Sequence, residues 1–211
     1  MDNIDELIDR LARDAEPVKP APHPLRLGAA WLAIMLLYLA VLLGFSGMRP
    51  DWMQQLHAPW FLAEIAILFL ILLSTSASAA LLSFPDLYQM RPLALTPIGL
   101  FGVFAVLLFM SWRAHMPPPP LPDHDLECTV CITLVSIPPA IGILYTMRRI
   151  ASTHYRYAAS VALLCAFSVG ALWLRLHEIN DSIVHVVEWH YLPMLAAGAI
   201  GLALGKALLK W

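Results

Sequence analysis

The run LGAAWLAIMLLYLAVLLGFSG, residues 27–47, contains no charged side chain, and its length shows what solvent the chain is built for. A helix crossing the hydrocarbon of a bilayer needs about 20 consecutive apolar residues at about 1.5 Å each. Five further apolar runs follow, at 60–84, 95–112, 128–146, 157–176 and 187–209. They are continuous rather than alternating with period two, so they read as helices that satisfy their own backbone groups and not as barrel strands. The composition agrees, with 60% hydrophobic residues, 13% charged residues and a mean hydropathy of +0.70, outside the range of soluble globules. The expected fold is all-α, a polytopic membrane protein of about six transmembrane helices. It is divided into a tail, 1–26, and a six-helix domain, 27–211.

Working outward, the first 26 residues hold six acids and four bases before any apolar run. This is not the pattern of a cleavable leader, so the first helix is expected to act as its own insertion signal. Basic residues near helix ends stay on the cytoplasmic side. With the N-terminus inside, Arg10, Arg13, Lys19, Arg26, Arg91, Arg148, Arg149, Arg156, Lys206 and Lys210 fall there, and only Arg49, Arg113 and Arg175 fall outside. Both termini are therefore expected in the cytoplasm. A net charge of −2 with no basic stripe gives no reason to expect direct nucleic-acid binding.

Within the tail, Ile4, Leu7, Ile8, Leu11 and Ala15 recur at spacings of three and four, which makes one apolar stripe on a short acidic helix. Such a helix is marginal alone in water and needs a surface. The membrane interface is one candidate, although interfacial helices favour Lys and Arg on their polar face. A groove on a soluble partner is the other, reached through the proline-rich linker 17–24.

On the opposite side, RAHMPPPPLPDHDLE, residues 113–127, leads with His115 and His124 into Cys128-Thr-Val-Cys131. Cysteines three apart share a helix face. They read either as a thiol pair in an oxidising compartment or as small packing residues. Cys165, mid-run among apolar neighbours, reads as packing. The stretch LRLHEINDSIVHVVEWHYLP, residues 174–193, adds His177, Glu178, Asp181, His185, Glu188 and His190, with His185 and Glu188 one helical turn apart. Imidazole, carboxylate and thiolate together suit a borderline metal such as zinc or cadmium. Pro138-Pro139 removes donors mid-helix, which makes a kink that is either a moving part or a fixed bend.

Three function classes compete. A thiol–disulfide oxidoreductase linked to a membrane quinone needs a second reactive pair in another outer loop, and those loops have no cysteine. A small transporter would use Glu64 or the proline break, yet no inverted repeat is evident. No nucleophile elbow, H-E-x-x-H or glycine-rich phosphate loop appears, so no enzyme is expected. The third class is a regulator.

Taken in order, the acidic amphipathic N-terminus, six apolar runs, Cys128 ahead of Ser136-Ile137-Pro138-Pro139, Met147-Arg148-Arg149-Ile150-Ala151-Ser152, Asn180-Asp181-Ser182 before Trp189, and the terminal Leu208-Leu209-Lys210-Trp211 resemble the NrsF type of membrane anti-sigma factor. The resemblance covers essentially the whole chain. It implies a multi-pass protein of the bacterial inner membrane whose N-terminal part holds an extracytoplasmic-function (ECF) sigma factor inactive, with Ile4, Leu7, Ile8 and Leu11 as the partner-binding residues. It also implies release under heavy-metal or oxidative stress, through extracytoplasmic cysteines. Cys128 matches the first of these. The family's second cysteine, before a D-D-S stretch, is replaced here by Glu178. Either Cys131 supplies the second thiol, or Cys128, His177 and Glu178 form a mixed-ligand cluster. No resident cofactor is expected beyond a transient heavy-metal ion.

Overall fold

Proline and glycine punctuate the chain where its helices begin and end. The computed structural model describes residues 2–14, 22–85, 90–114, 126–150 and 152–210. Ala15, most of the proline-rich linker, His115 and His124 lie outside the described residues. A tail helix, α1 (Asp2–Asp14), comes first. The long helices are α2 (Pro24–Ser46), α4 (Pro59–Leu82), α5 (Arg91–Ala114), α6 (Leu126–Arg148), α7 (Tyr155–His177) and α8 (Ile183–Leu209), with a one-turn α3 (Trp52–Gln55) between α2 and α4. Pro24 and Pro59 sit in the first turns of α2 and α4, where a missing N–H costs nothing. Gly47 ends α2 at φ +81°, a conformation that L side chains rarely adopt.

Six of these helices are long and apolar enough to cross a membrane, as expected from the six runs. Lipid replaces water as their solvent. Ile34 and Leu37 of α2, Val103, Val106 and Phe109 of α5, and Ile141 of α6 are exposed, while α7 is almost wholly enclosed by its neighbours. Its small side chains explain the placement. Ala158, Ala159, Ala162, Ala166 and Gly170 let other helices approach closely. A Cβ on Gly170 would stand 2.5 Å from Ser136 Oγ of α6, and one on Gly201 of α8 would stand 2.5 Å from Ser160 Cα of α7.

Polar atoms inside the bundle are tied across helices: Ser76 Oγ donates to Gly28 O (2.8 Å), and Trp173 Nε1 donates to Ser46 Oγ (2.9 Å). The proline pair does not interrupt α6, which runs continuously through it. Pro139 cannot donate to Val135 O one turn earlier, and the hydroxyl of Tyr38 on α2 donates to that carbonyl instead, at 2.9 Å. The carbonyl freed by the proline is thus satisfied from a neighbouring helix.

Candidate metal centre

At one end of the bundle four metal-capable side chains converge. Cys128 stands in the first turn of α6, Glu178 ends α7, and His185 and His190 come from the start of α8. Their donor atoms all lie within 4.8 Å of one another. Cys128 Sγ donates to Glu178 Oε2 at 3.4 Å and lies 3.7 Å from His185 Nε2. His185 Nε2 is 3.1 Å from Glu178 Oε1, and His190 Nε2 is 2.9 Å from Glu178 Oε2.

Local winding explains why His185 and His190 meet. Five residues along an α-helix turn the side chain by about 140° from where it began, so both could not face one site. Between them Val186–Tyr191 winds as a π-helix, with its wider turn. The two rings then stand 5.2 Å apart and nearly perpendicular. The same winding leaves Glu188 exposed, away from the turn-spaced pairing with His185 that an ordinary helix would give.

Both histidines are fully buried, yet His185 Nδ1 and both ring nitrogens of His190 lack an aligned hydrogen-bond partner. Buried ring nitrogens without partners are costly, and a metal ion at the cluster would take up one of these three, His190 Nε2. Ligand atoms around a tetrahedral zinc are about 3.3–3.7 Å apart, given bonds of about 2.0–2.3 Å. The two Cys128 separations (3.4 and 3.7 Å) match this, and the two histidine–Glu178 separations (3.1 and 2.9 Å) are shorter and would open on metal binding. One thiol, one carboxylate and two imidazoles is a borderline-soft donor set. Burial tends to raise the Glu178 carboxyl, but contact with His190, together with Cys128 and His185, outweighs it and holds the group below its usual range.

Of the expected ligands, Cys128 and Glu178 are brought together and His177 is not. The ring of His177 stacks on Trp173 one turn earlier (5.3 Å, 12°), and its Nδ1 is 2.9 Å from Gly47 O. Cys131 is a half-buried thiol one turn into α6. It lines a cavity of about 590 Å³ together with Met48, Glu127, Cys128, His177 and Glu178, which opens the cluster to the outside. Cys165 is fully buried in α7.

An ion network that sequence reasoning left unassembled flanks the cluster. Arg49, after α2, and Arg175, near the end of α7, are 1% and 5% exposed. Arg49 donates to Asp51 (2.7 and 2.9 Å) and to Asp181 (2.9 and 2.8 Å). Arg175 donates to Asp181 at 2.7 Å, and its Nε is 3.1 Å from Glu64 Oε1 in charge contact without hydrogen-bond alignment. Tyr191 donates its hydroxyl to Glu64, and both guanidiniums lie over Phe61. Asp181 is pushed up by burial but brought below its ordinary range by Arg49 and Arg175. Asp51 is lowered by Arg49, and Arg49 is raised by Asp181 and Asp51. Charges this deep in an apolar chain are expected in pairs, and that was the available signal: Arg49 and Arg175 needed acids, although nothing local in the sequence says which.

The sequence pattern of the family described as negative regulator of sigma F, NrsF, matches residues 11–211. The chain belongs to this family. A probable anti-sigma-F factor NrsF of Azospira oryzae is 26% identical over 219 residues, spanning 98% of this chain and 99% of that protein. The anti-sigma-F factor NrsF of Caulobacter vibrioides is 27% identical over 232 residues, with the same coverage. Both relatives are named as regulators and neither as an enzyme. No solved structure matches the chain. This NrsF-family member therefore carries its candidate centre on a scaffold shared along nearly its whole length with those relatives.

Proposed function

We propose that this chain is an anti-sigma factor of the bacterial inner membrane that holds an ECF-type sigma factor inactive through α1 and releases it when a heavy metal or an oxidant acts at the cysteine–histidine end. The observation that carries the reading is the pairing, in one NrsF-family chain, of an uncovered apolar stripe with a buried donor cluster. Ile4, Leu7, Ile8 and Leu11 are each more than half exposed along one side of α1. Arg10–Glu6 and Arg13–Asp9 contacts (3.8 and 4.0 Å) occupy the polar side. Full burial of each such side chain stabilises by about 1.5–3 kcal/mol, which makes a groove on a protein partner a strong sink for the stripe.

The charge count supports placing α1 in the cytoplasm and the cluster on the far side of the bilayer. Cys128, Glu178, His185 and His190 are the side chains that would hold an ion. A bound zinc-like cation would supply positive charge and a fixed tetrahedral preference. The chain's own residues provide the link to the tail. Glu178 and Asp181 share the short connection between α7 and α8. Asp181 bonds Arg49, whose backbone N–H also donates to Leu176 O at 2.9 Å, and α2, which Arg49 follows, leads back to the tail. A displacement of Glu178 would thereby reach α2, a candidate transmitting element alongside α6. Cys131, at the cavity wall, is the second thiol available to an oxidant.

The test is co-purification of full-length protein in mild detergent with sigma factors of its host. Wild type should retain an ECF sigma factor and the Leu7→Asp, Leu11→Asp variant should lose it. Equal retention by both would remove α1 from the interface, and no retention by either would remove the anti-sigma reading.

A further inference from the structure

The end of the bundle opposite Cys128 carries charge of a different kind. No Asp or Glu occurs from 128 to 177 or from 189 to 211, while the segments meeting at this end contribute Arg148, Arg149, Arg156, Lys206 and Lys210. Some of these cations are already engaged. Arg148 donates to the last carbonyls of α8, Leu208 O (2.5 Å) and Ala207 O (3.2 Å), and Arg149 donates to the Tyr145 hydroxyl and lies over its ring. The side chains of Arg156 and Lys206 are exposed and make no hydrogen bond or ion pair with the described residues.

These two cations are brought to one place by a glycine. A Cβ on Gly205 would stand 2.5 Å from Tyr155 O and 2.6 Å from Arg156 Cα, so only glycine lets α8 rest on the first turn of α7. Lys206 follows at once, and a cavity of about 390 Å³ forms between Thr153, His154, Tyr155, Arg156, Tyr157 and Lys206. It sits at the ends of two membrane-spanning helices, beside two tyrosines of the kind that settle at headgroup level.

We propose that this cavity binds the phosphodiester of an anionic phospholipid headgroup, with Arg156 and Lys206 as its cationic walls and the Thr153 and His154 side chains, which bond each other at 3.0 Å, at its rim. The segments that form the cavity carry no acid of their own, and the position at the helix ends selects a lipid over a soluble anion. Basic pockets between transmembrane helices recognise headgroups in this way. The inference does not depend on what α1 binds or on the donor cluster at the other end.

Full-length protein in neutral detergent should show a rise in thermal midpoint with phosphatidylglycerol and little with phosphatidylcholine or inorganic phosphate. Arg156→Gln with Lys206→Gln should need about tenfold or more lipid for the same rise. Arg149→Gln with Lys210→Gln, which removes the same charge outside the cavity, should respond like wild type. An equal loss in both double variants would reduce the effect to diffuse attraction and overturn the site. A full response to inorganic phosphate alone would overturn the lipid assignment. Native mass spectrometry of wild type gives an independent reading: retained phosphatidylglycerol supports the site, and none retained overturns it.

Discussion

The two ends of this bundle handle charge in opposite ways. At the cysteine–histidine end, Arg49, Arg175 and Glu64 are buried and paired, and both guanidiniums lie over Phe61. At the other end, Arg156 and Lys206 stand exposed without acids in the segments that carry them. Buried pairs hold a defined geometry but cost desolvation, and they fail badly when one partner is removed. Exposed cations hold no geometry and are open to an external anion. The first end is thus built as a fixed frame around a donor cluster, the second as a contact surface.

Removing one partner from the buried network should give the largest effect. Arg175→Met leaves the Glu64 carboxylate enclosed and should destabilise the protein by about 3–5 kcal/mol. Lys206→Met at the opposite end should stay within about 0.5 kcal/mol. Chemical denaturation in detergent compares them, and similar midpoints for the two would erase the contrast.

Helix contact comes next. Gly201→Ala drives a Cβ into the backbone of Ser160 and should cost about 1–3 kcal/mol. Gly142→Ala, with open space around it, should be neutral or slightly stabilising. Tyr38→Phe uncovers Val135 O beside the proline pair and should cost about 0.5–1.5 kcal/mol in the same assay.

The smallest effect at neutral pH is electrostatic and shows only in acid. Asp181 has a folded pKa below its unfolded value of about 3.9. Its stabilisation is therefore complete above that unfolded value and is lost as pH falls through the folded one. A pH series of thermal midpoints should decline below about pH 4 in wild type and decline less in Asp181→Asn. Parallel curves would remove Asp181 from the stabilising ion network.

The six helices were legible because continuous apolar length is a property of single segments. The site was legible in part. Cys128 and Glu178 could be paired through the family resemblance, in which Glu178 stands where the second cysteine is expected. His190 was visible as a residue of the right loop but not as a partner of His185, because the π-wound turn that aligns them leaves no mark in an apolar pattern read at 3.6 residues per turn. His177 looked equally eligible. Its actual partners, Trp173 and Gly47 O, depend on how the α2 terminus packs on α7, which no local pattern encodes. The same holds for Arg49 and Asp181, 132 residues apart in the chain.

Transcription from a promoter dependent on the bound sigma factor, measured in cells with and without added zinc or cadmium, tests the central claim most directly. The account predicts that wild type is silent until metal is added, that His190→Ala stays silent with metal, and that Leu7→Asp with Leu11→Asp is active without it. A metal response in His190→Ala equal to wild type would contradict the four-residue centre. Silence in the tail variant would contradict α1 as the hold on the sigma factor.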